Sequence, residues 1–451
     1  MSRDINFGLD QLDNGDRKSM SAPVSGNVDQ SGNADWKFAL FILAAMPVMQ
    51  MLATWDIDGN LGAVTKSLRL FSLPVVFLEI LLLLWTSRKG WKPQQQIYAM
   101  SKLNQGFIII FLFFGLTSSI FVASDYLTSL FLLFRYVLHA LVLGAVIFLI
   151  STGPNFDIKR WMRDVGIGSA IYASLLILFC ALVIKMANFN WVGGLPSATH
   201  IRQIGNMLGL MAIMPAAAIL LSNRGDRIFA PLILHTALLG FVMWSGTRGA
   251  LLGYLAAIFV AIWFCRSAVR LKTCGAIAVS WVIAALASLL IAVPSPYYGL
   301  IRVAGSLSTK DSSSGRWQMW SDAANAIARS PLLGHGIGTY RDNMAALNGH
   351  PYNHPHNFIL QYVYDWGFIG GFFALSLIAF LGFSIWRSIP ERIEEKFLAF
   401  AGFAGVLAIA MIEGSLFHPL PMIIGITLIS PLLKNSFKTQ HERKFATATG
   451  H

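Results

Sequence analysis

Apolar runs of about 20 residues recur along the chain from Trp36 onward, each separated from the next by a short polar stretch. In windows long enough to cross a bilayer they predict helices near 37–55, 66–86, 105–123, 127–151, 166–188, 203–222, 229–246, 249–267 and 274–293. Three more follow near 356–386, 396–416 and 418–436. The pattern predicts an all-α integral membrane protein of about twelve transmembrane helices with one large interruption, at 294–355. In domain terms, residues 1–36 read as a disordered cytoplasmic tail. Residues 37–293 hold helices one to nine, and 294–355 form a loop on the outer side. Residues 356–436 hold helices ten to twelve, and 437–451 form a second cytoplasmic tail.

Composition agrees with that class, since 55% of the 451 residues are hydrophobic and 12% are charged, against roughly 25% charged in soluble domains. The formal charge of +12 does not point to nucleic acid, because most of the Lys and Arg lie in short loops where the positive-inside rule accounts for them. The three cysteines, Cys180, Cys265 and Cys274, fall in or beside apolar runs and imply neither a disulfide framework nor metal ligation. The first 36 residues lack the basic-then-apolar order of a cleaved signal peptide.

Alternate loops carry the cations: Arg88, Lys89 and Lys92; Lys159, Arg160 and Arg163; Arg224 and Arg227; Arg266, Arg270 and Lys272; Arg387, Arg392 and Lys396. The opposite loops hold Asp56 and Asp58, Asp125, and Glu413. Both termini are therefore expected in the cytoplasm, with 294–355 outside. Arg202, Arg248, Arg302, Arg316, Arg329 and Arg341 fall on the side where arginine is disfavoured and need another reason to be there. Snorkelling to the interface is the bland reason for Arg202 and Arg248.

Inside the interruption, Trp317, Trp320, Ala324, Ile327 and Ala328 recur at helical spacing and predict an amphipathic helix over 315–330, lying in the membrane interface with its tryptophans in the aromatic belt. Ser312, Ser313 and Ser314 are candidate N-caps, and Ser330-Pro331 ends the helix. A second short helix is expected near 339–347. Gly334-His335-Gly336-Ile337-Gly338 resembles a phosphate loop, but no strand precedes it and no lysine follows, so it reads as a flexible turn.

Arginines gathered at one membrane face invite an anionic ligand, because guanidinium meets phosphate oxygens with paired hydrogen bonds. A lipid-linked diphosphate fits both charge and place. His354 and His356 supply a base near neutral pH, and Asn357 is placed to orient a ring or a substrate. A sugar on a lipid diphosphate has a good leaving group that needs charge stabilisation more than an acid. The expected chemistry is inverting glycosyl transfer to a hydroxyl. No Asp-x-Asp or Glu/His cluster marks the outer face, so no metal and no cofactor are expected. Zn²⁺ on His350, His354 and His356 is the alternative, weakened by the lack of a nearby fourth ligand. Glu413 and His418 rank below the arginines.

Three local patterns carry a family resemblance: Arg202 with Gly205-Asn206 and Leu208; Ser245-Gly246-Thr247-Arg248-Gly249-Ala250; and His356-Asn357 followed after nine residues by Gly367 and then by Gly371. In this order, with Gly315-Arg316-Trp317 between the second and third, they resemble the O-antigen ligase and polymerase superfamily of bacterial inner-membrane glycosyltransferases, lipid-diphosphate-sugar dependent and GT-C-like. The second departs from the family's Ser-x-Ser-Arg-Gly turn by Thr247. The resemblance implies that Arg202, Arg248 and Arg316 hold the undecaprenyl diphosphate of a glycan donor. It also implies that His356 activates the acceptor hydroxyl, which in the ligases belongs to the lipid A core oligosaccharide at the periplasmic face. Asn206, Arg341, His354 and Asn357 are expected in support.

The polymerases of the superfamily and its protein O-glycosylating members would use the same groups on another acceptor. A transporter of the lipid-linked sugar is the competing class. It would place charges near the bilayer midplane and show repeated broken helices, whereas the charges of this sequence are expected to gather at one face, and no internal repeat is evident.

Overall fold

The computed structural model describes residues 35–57, 62–153, 155–184, 186, 189–290, 299, 315–348 and 353–448. Its regular elements are all helical. The first group is α1 (Asp35–Ala53), α2 (Gly62–Phe71), α3 (Leu73–Arg88), α4 (Pro93–Ala99), α5 (Lys102–Phe121), α6 (Tyr126–Thr152) and α7 (Ile158–Val183). Next come α8 (Ile201–Met211), α9 (Ile213–Leu220), α10 (Phe229–Trp244), α11 (Arg248–Cys265) and α12 (Leu271–Leu290). The last are α13 (Arg316–Arg329), α14 (Tyr340–Asn348), α15 (Phe358–Arg387), α16 (Ile393–Ala410), a 3₁₀ turn (Ser415–Phe417) and α17 (Pro419–Ala448).

Each of the twelve expected windows holds helix, but among the described residues eight helices are long and apolar enough to cross a membrane, or nine if α2 and α3, bent by 47°, count as one. Helix α10 and the apolar part of α17 are shorter. Helix α16 spends its first turn on Glu394, Glu395 and Lys396. Helix α17 continues to Ala448, through residues expected to form a tail.

The span α8–α9 is the axis of the bundle. Nearly all of its side chains are buried, and α7, α10, α11, α12, α16 and α17 pack around it. Two glycine pairs at helical spacing set how close the neighbours come, as small-residue faces do in membrane helices. A methyl on Gly205 would stand 2.4 Å from Thr247 Oγ1 and 2.7 Å from Ser245 Oγ, while one on Gly209 would meet Ala250. A methyl on Gly249 would stand 2.7 Å from Glu413 Cγ, and one on Gly253 would stand 2.2 Å from Ile409 Cγ1. Two of the motifs singled out in the sequence thus interlock, and α11 is seated against α16.

At the far end of the α16–α17 hairpin, Lys434 Nζ lies 2.6 Å from Glu395 and 3.1 Å from Glu391, with Lys434 and Glu395 both almost wholly buried. Breaking a buried ion pair strands a charge and costs about 3–5 kcal/mol. Glu395→Ala should therefore lower the thermal stability of the purified protein, whereas Glu395→Ala with Lys434→Met should recover most of the loss. Arg392 and Asp157 meet at this same end, 3.5 Å apart.

The expected amphipathic helix is α13, but its partner is protein. Met319, Ala323, Ala326 and Ile327 are buried, one position away from the expected stripe, and Ala323, Ala326 and Ile327 cluster with Tyr340, Met344 and Tyr364. Its N-cap is Gly315 in a left-handed conformation without a side-chain cap; the candidate caps Ser312, Ser313 and Ser314 lie outside the described residues.

The glycine-rich turn is likewise docked. Helix α15 breaks at Gly367 (φ 68°, ψ −178°), so the carbonyls of Tyr364 and Asp365 lose the helical donors they would have had. The N–H groups of His335 and Gly336 replace them at 2.8 and 2.9 Å, and Phe368 N–H turns to the Pro331 carbonyl at 2.7 Å. Gly334-His335-Gly336-Ile337-Gly338 is a plug that satisfies a broken helix, with its three glycines all at positive φ.

A candidate active site at one end of the bundle

The starts of α8, α11, α13 and α15 and the loop between α16 and α17 meet at the end opposite Lys434. Glu413 is the junction. Its Oε1 accepts from Arg316 Nη2 at 3.2 Å and its Oε2 lies 3.1 Å from His356 Nδ1. Arg202 and Arg248 lie close enough to act electrostatically on Arg316, and Arg202 on Glu413. Three guanidiniums and one carboxylate are thus brought to this end of the bundle.

Exposure separates the roles these groups can take. The Glu413 side chain is 7% exposed, whereas Arg316 and His356 are 18% and 21% exposed. The carboxylate sits behind the groups that a ligand can reach. Burial alone would raise the Glu413 carboxyl, but the hydrogen bond and charge of His356, with Arg202 and Arg316, outweigh it and hold the group below the ordinary glutamate range. Burial lowers the Arg316 guanidinium, opposed by Glu413 and aided by Arg248 and Arg202.

The loop that presents His356 is held on three sides. His356 itself has φ 53°, in the left-handed region that few residues other than glycine occupy. Its N–H donates to His354 Nδ1 at 3.2 Å, and Trp320 Nε1–H donates to the intervening Pro355 carbonyl at 2.9 Å. His354 is an acceptor here, and burial with His356 and His418 nearby keeps its ring well below the usual histidine range. Behind it, Gln203 Nε2 donates to His418 Nε2 at 3.0 Å, and burial beside Arg135 pushes His418 down to about 3.

The sequence-derived residues therefore divide. Arg202, Arg248, Arg316, His354 and His356 come together. Asn357 has a structural role: its Oδ1 caps α15, accepting from Ile359 N–H at 3.0 Å and Leu360 N–H at 3.1 Å. Asn357→Ala should cost about 1 kcal/mol of stability, as lost N-caps do, and Asn357→Asp should restore it, since aspartate caps equally well. Asn206 is buried one turn from Arg202, and among the described residues its Oδ1 has no hydrogen-bond partner. Arg341 is exposed on α14 and stands outside the Glu413 ion pairs. Arg302 and His350 lie outside the described residues. Among the described residues no three His, Cys, Asp or Glu side chains are grouped to hold a metal ion.

Glu413 is the correction of most consequence, since from sequence it ranked below the arginines. Its signal was a lone carboxylate at the end of an apolar run on the same expected face. A second set was overlooked. Glu79 and His139 pair inside the bundle at 2.5 Å, and Arg135 is buried with Nη2 on the Phe417 carbonyl at 2.5 Å. Asp365 is wholly buried and accepts from Gln361 at 2.7 Å. Ionisable groups therefore do not all gather at one face. Each was legible as a single charge within an apolar run, which has to find a partner.

Residues 232–375, about a third of the chain, match the profile of a family described as O-antigen ligase, in keeping with the O-antigen ligase and polymerase superfamily. The match contains Arg248, Arg316, His356 and Gly367 and leaves Arg202 and Glu413 outside it. No curated protein matches the chain significantly. The family and the apolar helices together point to a membrane-embedded, glycosyltransferase-like enzyme handling a lipid-linked glycan and a glycan acceptor.

Proposed function

Starting from that family match, we propose that the chain is an O-antigen ligase. In this reading it moves a polysaccharide from undecaprenyl diphosphate to a hydroxyl of the lipid A core oligosaccharide. It works at the periplasmic face of the bacterial inner membrane, with twelve spans and both termini in the cytoplasm. The observation that carries the reading is the Glu413 junction, which joins a base, His356, to Arg316 through one carboxylate, with Arg202 and Arg248 close enough to act on Arg316.

The reaction follows from that arrangement. His356 donates Nδ1–H to Glu413, which leaves the Nε2 lone pair for the acceptor, as the carboxylate of a catalytic triad fixes its histidine. As the acceptor oxygen attacks the anomeric carbon, its proton passes to Nε2. The bond from that carbon to the diphosphate oxygen breaks on the opposite face, and the diphosphate leaves with the electron pair. Arg202, Arg248 and Arg316 take up its growing charge. Glu413 stabilises the imidazolium. A single displacement inverts the anomeric centre, and the guanidiniums supply the neutralisation for which other transferases use a divalent cation.

The test is transfer in reconstituted membranes containing EDTA, with lipid-linked O-antigen as donor and core lipopolysaccharide as acceptor. Wild type should cap the core, and His356→Ala and Arg248→Ala should not. A donor that lengthens without touching the core would identify a polymerase. Glycan appearing on protein hydroxyls would identify a protein glycosyltransferase, and movement of donor across the bilayer without a covalent product would identify a transporter.

A further inference from the structure

Trp317 is the large aromatic side chain of α13 that is most open: it is 71% exposed although Arg316 before it is ion-paired with Glu413. The amphipathic pattern assigns it to lipid, yet the face that α13 buries is turned to protein. The apolar face of α13 is spent on protein, through Met319, Ala323, Ala326 and Ile327. The exposed side that carries Trp317 also presents Ser321, Ala324 and Ala328, flanked by Gln318, Asn325 and Arg329, so the indole is its one bulky apolar group and the rest of the stripe is small residues, with little area to sink into the acyl region.

The position of the indole relative to the site is fixed. Trp317 and Trp320, three residues apart and so on one side of the helix, meet edge to face with ring centroids 5.1 Å apart and planes at 77°. Trp320 is tied by its N–H to the Pro355 carbonyl, between His354 and His356. The side of α13 that carries both rings is therefore the side that clasps the base loop. The residue before Trp317 is Arg316, paired with Glu413. A free aromatic ring thus continues the site outward from the base and the cations.

We propose that Trp317 is a saccharide-stacking platform, holding a pyranose ring of the glycan substrate against the indole beside the reacting centre. The physical basis is the ring quadrupole. The face of an indole is negative, and the C–H groups on one face of a pyranose, polarised by the ring and hydroxyl oxygens, present a weakly positive apolar surface of matching size. The edge contact from Trp320 fixes the plane of the platform and leaves a face open. This inference rests on the transfer reading for the identity of the ligand, although the binding itself is measurable without any reaction.

The experiment compares the full-length protein with Trp317→Phe, which keeps an aromatic face, and Trp317→Leu, which keeps apolar bulk and membrane affinity. Two probes are used: the oligosaccharide released from the donor and the lipid-free core oligosaccharide. Their ring-proton line broadening is measured by NMR on protein in bilayer discs, alongside KM and kcat for donor and acceptor. Trp317→Leu should weaken one oligosaccharide and raise the KM of the corresponding substrate about tenfold, with kcat within about twofold, while Trp317→Phe stays within about threefold of wild type. Whether the donor or acceptor KM moves tells whose ring is held. If Trp317→Leu binds both oligosaccharides as wild type does, the indole is a lipid anchor and the proposal falls. If neither oligosaccharide binds the wild type, it falls as well. If binding depends on Trp317 but no acceptor is glycosylated, the platform stands and the transfer reading fails.

Discussion

Glu413→Gln lowers the rate of glycan transfer by about 10²–10⁴-fold, the range expected when a general base loses the group that fixes its tautomer. Glutamine fills the same volume and can still accept from Arg316 through its amide oxygen. It carries no charge for an imidazolium, and its amide nitrogen can face His356 Nδ1 only as a donor. Nδ1 then becomes the acceptor, the proton moves to Nε2, and the nitrogen facing the substrate has no lone pair to offer. Glu413→Asp should fall between the two, because the charge returns but the shorter side chain cannot span both the 3.2 Å contact to Arg316 and the 3.1 Å contact to His356. The measurement is turnover at saturating donor and acceptor, with binding of the lipid diphosphate determined separately. If Glu413→Gln keeps more than about a tenth of wild-type turnover, the carboxylate is an arginine partner only, and His356 is oriented by His354 and the Pro355 clasp instead.

Gly367→Ala prevents the protein from reaching a stable folded state. The backbone at φ 68°, ψ −178° lies in a region that is essentially restricted to glycine. A methyl there would stand 2.2 Å from the Leu332 carbonyl oxygen and 2.3 Å from its carbon, both backbone atoms that cannot step aside. Residues 331–333 and the plug that follows them would have to leave the break in α15, exposing the carbonyls of Tyr364 and Asp365 that the plug now satisfies. We expect a loss above about 4 kcal/mol, in the tail of single-substitution effects, read as loss of monodisperse protein in detergent or as inactivation at much lower temperature. Gly275→Ala is the matching control. Nothing lies within 4 Å of a methyl at that helical position, so it should be neutral or stabilising by about 0.5–1 kcal/mol. A Gly367→Ala protein as stable as wild type would show that the break in α15 is not fixed by this glycine.

His356 and Glu413 mark how differently sequence informs. His356 was visible because histidine beside a helix start, on the face expected to disfavour arginine, has few structural reasons to be there. Glu413 was not, because a carboxylate at the end of an apolar run has an ordinary interfacial explanation, and its value comes from Gly249. That glycine lets α11 approach until Glu413 Cγ occupies the space a methyl would fill. Asn357 has a second explanation of the same kind: beside whatever its amide N–H does, its oxygen caps α15 on the N–H groups of Ile359 and Leu360.

The sequence by itself determined that the chain is a helical membrane protein and roughly where its helices lie, although α7 begins eight residues before its expected window and α17 runs twelve beyond it, and it singled out the arginines and the histidine that needed a partner. Those properties follow from local rules: bilayer thickness sets the length of apolar runs, and burial forbids an isolated charge. Only the tertiary structure decided which of the out-of-place groups meet. That depended on glycine contacts between α8, α11 and α16, on a break in α15 and on a plug that fills it, and each of these is an agreement between residues far apart in the chain. Side-chain periodicity reports the environment of a residue and carries no distance to a partner on another helix. The difference decided Glu413, whose two neighbours come from the starts of α13 and α15.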